Sequence, residues 1–135
     1  MPTITVACAP LEVLARKRLA LALTRQLKQL GAEAAHCMVF FSPLPEACVF
    51  SAGMPLPTLD RSGVPAQFYL RVTLDAARDA KAKQALAEGL HQCLRSQYPS
   101  AFIYLHFDPI QPEQVFFSAG PVLVNAAQPQ GKTGS

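Results

Sequence analysis

Apolar and polar positions alternate from the beginning of the chain. Between residues 2 and 8 the apolar members are Ile4, Val6 and Cys8, and smaller or polar residues separate them. A period of two residues is typical of a β-strand with one buried face. The dipeptide Ala9-Pro10 then interrupts the pattern, so we predict a strand over residues 2–8.

The period changes to that of a helix over residues 11–30. Its apolar positions recur every three or four residues, while the basic residues lie off that stripe. Gly31 follows and favours a helix end there. The stripe consists of Ala15, Leu19, Leu23, Leu27 and Leu30. Residues 36–41 then form an apolar run that Ser42-Pro43-Leu44-Pro45 breaks, which indicates a second strand.

The same order of elements occurs again in the second half of the chain. Residues 67–74 alternate as a strand, residues 78–97 carry leucines at helical spacing, and residues 102–107 are a further apolar run. Each half therefore predicts one β-α-β unit, in which a helix connects two parallel strands.

Short matching segments indicate that the two units are copies of one repeat. Phe41-Ser42-Pro43-Leu44 matches Phe107-Asp108-Pro109-Ile110 at an offset of 66 residues, and Phe50-Ser51-Ala52-Gly53 matches Phe117-Ser118-Ala119-Gly120 at an offset of 67. We therefore predict an α+β fold, in which a four-stranded mixed sheet carries two helices on one face.

The repeat sets the predicted domain organisation. Residues 1–125 form one domain with units at 2–53 and 67–120, joined by a Pro-rich connector at 54–66. Residues 121–125 have the composition of one more short strand. Residues 126–135 are rich in Gln, Gly and Ser, and we expect a flexible tail there.

Composition narrows the class of protein. The 135 residues carry a net charge of +3, and the basic residues are scattered without interleaved aromatics, which favours solvated helix faces over a nucleic-acid surface. The four cysteines show no CxxC spacing, which favours reduced thiols in a cytoplasmic protein. No apolar run is long enough to span a membrane. His91 and Cys93 fall on different faces of a helix, so we predict no metal site and no cofactor.

Pro2 is the leading catalytic candidate. If Met1 is removed, the Pro2 nitrogen becomes a secondary amine at the start of a strand. A free α-amino group has a pKa of about 8, and an apolar or cationic setting lowers that value toward neutrality. An amine with such a pKa can remove a proton next to a carbonyl. The alternative is that Pro2 simply begins an edge strand, where proline is tolerated.

A Met-Pro start followed by two β-α-β units, each with a Gly-ended hairpin, resembles the tautomerase superfamily. Its double-unit branches include 5-(carboxymethyl)-2-hydroxymuconate isomerase and cis-3-chloroacrylic acid dehalogenase, and it also contains 4-oxalocrotonate tautomerase. The resemblance covers residues 1 to about 120. It implies a homotrimer, Pro2 as general acid or base, and arginines that bind the carboxylate of a small substrate.

Two arginines are candidates for the carboxylate site. Members of the family carry an arginine where the first strand gives way to the helix, and this chain has Glu12 there. Arg78 stands at the repeat-equivalent position 66 residues later and resembles the arginine that opens the second helix in the dehalogenase branch. Arg71 interrupts an apolar strand on its polar phase, so it either lines the centre of an oligomer or reaches a pocket. The alternative is an exposed or interface ion pair without a role in the site.

Four further candidates lie on the second strand of each unit. The repeat pairs Met38 with Tyr104 and Phe40 with His106, so all four should share one face of the sheet. Met38 replaces an arginine of the family, and Tyr104 and His106 are predicted hydrogen-bond donors to a developing enolate. The predicted apolar wall of the pocket consists of Met38, Phe40, Val49 and Phe116.

Several functions remain open at this stage. The first is a tautomerase or isomerase acting on a small α-keto or unsaturated carboxylic acid. The second is a hydratase or dehalogenase of an unsaturated acid, which would use a cationic Pro2. The third is a noncatalytic trimeric binding protein, which retention of Met1 would favour because the Pro2 nitrogen would then be an amide. The last is a ferredoxin-like regulatory module, whose halves also repeat.

Overall fold

Two β-α-β units, each followed by a hairpin, make up residues 2–128, which are the residues that the computed structural model describes. The first half contains β1 (Thr3–Cys8), α1 (Val13–Lys28), β2 (Met38–Pro43), β3 (Phe50–Ser51) and β4 (Met54–Pro55). The second half contains β5 (Gln67–Asp75), α2 (Ala80–Gln97), β6 (Phe102–Ile110), β7 (Phe116–Ala119) and β8 (Val122–Asn125). Short 3-10 helices occupy Ala34–His36 and Pro112–Gln114.

The main sheet has the strand order β2-β1-β5-β6. Each unit contributes one parallel pair, and the two units meet where β1 and β5 run antiparallel. The registers repeat as well, since Thr3 lies opposite Met38 and Tyr69 lies opposite Tyr104, with 35 residues between partners in both cases. Thr5 pairs with Arg71, its own repeat equivalent, so an approximate two-fold axis passes near that pair. The predicted fold class is confirmed.

Both helices cover the same face of this sheet. The leucines of the predicted helical stripes and the apolar phase of the central strands meet there and exclude water. Phe68 is fully buried, and its ring lies 4.8 Å from that of Tyr98 between centroids. The fully buried side chains of this core are Ile4, Val6, Leu19, Leu23, Leu27, Phe68, Val72, Leu90 and Leu94.

The strand ends differ from the prediction because the outer strands tolerate proline. β2 continues to Pro43, opposite Cys8, and β6 continues to Ile110 with Pro109 opposite Leu74. Both are edge strands, so a proline can leave its missing N–H on the unpaired side. Ser42-Pro43, which we expected to break the second strand, therefore lies inside β2.

The hairpins account for two segments outside the predicted units. Met54 and Pro55, at the start of the predicted connector, pair with Ser51 and Phe50. The short strand expected over residues 121–125 is observed as β8. Of the predicted tail, Ala126 donates its N–H to the carbonyl of Val115 at 2.9 Å, while residues 129–135 lie outside the described part of the chain, as does Met1.

Candidate functional site

Pro2 lies at the end of the sheet where β1 begins. It is half-buried, and its carbonyl accepts the N–H of Met38 at 3.4 Å. Because β1 and β5 are antiparallel and Thr3 lies opposite Thr73, the start of β1 is at the same end of the sheet as the end of β5. The turn between Asp75, where β5 ends, and Ala80, where α2 begins, therefore lies at the same end of the sheet as Pro2.

Arg78 belongs to that turn. Its N–H donates to the carbonyl of Asp75 at 3.1 Å, and the carboxylate of Asp75 accepts the N–H of Ala77 at 2.9 Å. Asp79 then caps α2 by accepting the N–H of Ala82 at 2.7 Å. Arg78 is half-buried and forms no ion pair with any carboxylate of residues 2–128. Its guanidinium therefore remains available for an external carboxylate.

The other polar candidates lie on the open face of the sheet, which is the face opposite the helices. The register sets Arg71 beside His106 and Tyr69 beside Tyr104. Asp108 joins them, because its carboxylate lies 3.1 Å from Nε of Arg71 and 3.5 Å from Nε2 of His106. Nδ1 of His106 is buried and has no hydrogen-bond partner among the described residues.

Asp108 is a residue that the sequence interpretation missed. It occupies the polar phase of β6, two residues after His106, so the period of the strand could have placed it on this face. Its repeat equivalent is Ser42, which is uncharged, so the repeat gave no indication of a carboxylate at this position. Arg71 thus already has a carboxylate partner in Asp108, whereas Arg78 has none among residues 2–128.

A shallow cavity of about 330 Å³ opens on this face, within the size range of small-molecule sites. Burial raises the pKa of Tyr69, one of its lining residues, so the phenol remains protonated near neutral pH and keeps its O–H donor. Pro2 and Arg78 do not line this cavity. Its lining residues are Thr5, Ala7, Ser42, Tyr69, Leu70, Arg71, Tyr104 and His106.

The predicted apolar wall is not gathered in one place. Met38 and Phe40 lie on β2, opposite Thr3 and Thr5, and are about half exposed on the open face. Phe116 starts β7 and is 58% exposed on the second hairpin. The structure thus divides the candidates between the Pro2 end of the sheet, the open face and a hairpin.

A second cavity, of about 240 Å³, lies beyond the other end of β1 and was not predicted. Arg16 supplies the one cationic side chain among its lining residues, and Cys8 lies at its floor. Burial raises the pKa of Cys8 to about 11, so its thiol stays protonated at neutral pH and is a poor nucleophile. The other lining residues are Ala9, Pro10, Leu11, Phe41, Ser42 and Pro43.

Residues 2–128 contain neither a metal-binding cluster nor a membrane-spanning helix. No three His, Cys, Asp or Glu side chains in this part of the chain are grouped so that they could hold a metal ion. Within the same residues, no helix combines the length and the apolar character needed to cross a bilayer.

Comparison with solved structures allows the fold to be assigned. A wild-type fused 4-OT in an asymmetric trimer matches at a TM-score of 0.73 and 20% identity, over 93% of this chain and 96% of that one. A member of the cis-3-chloroacrylic acid dehalogenase family matches at a TM-score of 0.75 and 18% identity, over 96% of this chain and 94% of that one. The chain has the tautomerase fold.

A third match extends the comparison to a fungal protein. It is a probable enzyme from Aspergillus fumigatus, with a TM-score of 0.71 and 15% identity, over 88% of this chain and 82% of that one. No family model matches the sequence, and comparison with curated proteins found no match. The predicted resemblance to the tautomerase superfamily is therefore confirmed at the level of the fold.

Proposed function

We propose that this chain is a tautomerase-like enzyme that moves a proton on a small α-keto or unsaturated carboxylic acid. The observation that carries the proposal is the position of Pro2, which precedes β1 of a tautomerase fold. Arg78 lies at the same end of the sheet and has no ion-pair partner among residues 2–128. Once Met1 is removed, the Pro2 amine takes a proton from carbon next to the carbonyl and returns it elsewhere on the substrate. Arg78 binds the carboxylate.

The test is turnover of phenylpyruvate and of a 2-hydroxymuconate by the wild-type chain and by a Pro2→Ala variant. Intact-mass spectrometry of the same preparation determines whether the chain begins at Pro2. Activity should require removal of Met1, since an acylated proline nitrogen is not basic. Lack of turnover by protein with a free Pro2 would favour the noncatalytic alternative.

Arg78→Ala should raise KM for a carboxylate substrate by roughly tenfold to a hundredfold, because a charge-assisted hydrogen bond contributes about 1.5–3 kcal/mol. Arg78→Lys should recover only part of that affinity, since lysine lacks the planar pair of donors. Arg61→Ala, an exposed arginine of the connector, is the matched control and should leave KM unchanged. Steady-state kinetics with both variants make the comparison, and an Arg78→Ala variant with wild-type KM would exclude this role.

We also propose that the chain works as a homotrimer that buries the open face. The fused 4-OT structure is a trimer. Three large aromatic side chains project from this face and are about half exposed: Phe40 at 48%, Phe102 at 57% and Tyr104 at 49%. Such a group of exposed aromatic residues is typical of an interaction surface. Burying them between subunits would also enclose the Arg71–Asp108 ion pair.

Light scattering should give a mass three times that of the 14.6 kDa chain. Phe102→Asp should dissociate the assembly, because each contact would then bury an unpaired carboxylate. Phe50→Asp is a matched control, since Phe50 is also 57% exposed but lies on the first hairpin. A monomeric wild-type protein, or a Phe102→Asp variant that stays trimeric, would contradict this interface.

A further inference from the structure

The outer face of α1 combines exposed leucines with unpaired cations. Leu14 and Leu21 are 72% and 56% exposed, whereas Leu19, Leu23 and Leu27 on the opposite side of the helix are fully buried. Val13 and Arg16 of α1 are exposed on other sides of the helix. At 100° per residue, the six other exposed residues of α1 fall within an arc of about 100°. We call them the α1 face, which consists of Leu14, Lys17, Arg18, Leu21, Arg25 and Lys28.

The charge of this helix is entirely positive. α1 contains five of the twelve Lys and Arg residues of the chain and none of its nine Asp and Glu residues. None of the five cations forms an ion pair with a carboxylate of residues 2–128. The self-repulsion of such a face costs stability, and an anionic partner would relieve it.

We propose that the α1 face docks an acidic amphipathic helix of another protein. Leu14 and Leu21 are one heptad apart, which is the spacing at which two packed helices meet along a seam. Arg18 and Arg25 flank the seam on one side and Lys17 flanks it on the other. A partner helix with leucines facing Leu14 and Leu21 and with glutamates beside them would bury the apolar pair and neutralise the cations.

The composition of the face distinguishes this partner from other anionic surfaces. α1 has no aromatic residue, and its leucines and cations are interleaved, whereas a helix that lies in a membrane surface separates a wide apolar face from its charges. Nucleic acid would leave both leucines without an apolar partner, since its phosphates contact the cations alone. A second copy does not fit either, because α2 contains only Glu88 against Lys81, Lys83 and Arg95.

The test uses a synthetic peptide of about three heptads with leucine at a and d and glutamate at e and g, a pattern whose like charges oppose pairing with itself. Isothermal titration of the full chain should show binding at low salt that weakens as salt screens the charges. The double variant Arg18→Glu/Arg25→Glu should weaken binding by about tenfold or more, and Leu14→Ser/Leu21→Ser by a similar factor. All four residues are exposed, so circular dichroism should show a wild-type fold.

Lys81→Glu/Lys83→Glu on α2 is the matched charge control and should weaken peptide binding by less than about twofold. A scrambled peptide of the same composition tests whether the heptad spacing matters. The proposal is overturned if the peptide does not bind, if the scrambled peptide binds equally well, or if the α1 variants bind as the wild type does. It is also overturned if phosphatidylserine vesicles or duplex DNA bind the α1 face and the peptide does not.

Discussion

Pro2→Ala is expected to lower turnover of phenylpyruvate or a 2-hydroxymuconate by about a hundredfold or more, because general acid–base catalysis contributes about 10² to 10⁴ in rate. Alanine keeps a free amine, but it replaces a rigid secondary amine by a flexible primary one with a different basicity. The loss should appear mainly in kcat, since the carboxylate would still meet Arg78. Steady-state kinetics on protein whose first residue has been established by intact mass make the measurement.

Pro99→Ala is the control for the loss of a proline as such, because Pro99 is exposed in the turn between α2 and β6 and should not affect turnover. If Pro2→Ala protein that begins at residue 2 turns over substrate as fast as the wild type, Pro2 is not the acid or base. The pH dependence of kcat/KM adds a second readout. An apparent pKa of about 6 for the essential group would favour a base, and one of about 9 would favour the cationic acid of the hydratase alternative.

The buried face of the sheet could be predicted because the period of each strand identifies its core residues. Ile4 and Val6 in the first unit, and Phe68, Leu70 and Val72 in the second, are the apolar members of alternating segments, and all five are buried. The leucine stripes predicted the inner faces of both helices in the same way. A one-residue error in phase would have turned every side chain to the other face. The burial of all five residues therefore confirms the predicted phase of both strands.

The polar arrangement could not be predicted to the same degree because it depends on strand register. Arg71 and Asp108 are 37 positions apart in sequence, and they meet only because β6 pairs with β5 so that Arg71 lies beside His106. The repeat predicted that Tyr104 and His106 share one face of the sheet, but Arg71 was considered separately from them. Without the register it had no reason to expect Asp108 between the two basic side chains.

The cations of α1 were also interpreted singly. In the sequence they lie off the leucine stripe, and basic residues are scattered along the chain, a pattern that favoured solvated helix faces. A helical projection of α1 already shows that four of its five cations share one arc with Leu14 and Leu21. Their exposed fractions were needed to show that nothing in residues 2–128 covers them.

The repeat has diverged at the position where the proposed catalytic group stands. Pro2 and Phe68 are 66 residues apart and are equivalent in the two units, yet Pro2 is half-buried at the end of the sheet and Phe68 is fully buried under the helices. Phe68 follows Gln67, whose side chain donates to the carbonyl of Pro57 at 2.5 Å. Phe68 is therefore an internal residue whose nitrogen belongs to a peptide bond, so it cannot act as an amine base.

Phe68→Ala should therefore act on stability. Removing a fully buried phenylalanine side chain costs about 3–5 kcal/mol, the sum of the lost transfer free energy and the cavity that remains. The contact with the ring of Tyr98, 4.8 Å away, is lost as well. Urea unfolding followed by circular dichroism, at one protein concentration because association contributes to stability, should show a lower midpoint with a similar slope.

Phe50→Ala is the matched control, because it is the same chemical change at a side chain that is 57% exposed on the first hairpin. It should lower the free energy of unfolding by no more than about 0.5 kcal/mol. If Phe68→Ala and Phe50→Ala cost the same, the second unit does not hold its first strand in the core as described. If Phe68→Ala instead abolishes turnover while the unfolding midpoint is unchanged, the second unit contributes to catalysis, and the proposed division between a catalytic Pro2 and a structural Phe68 is wrong.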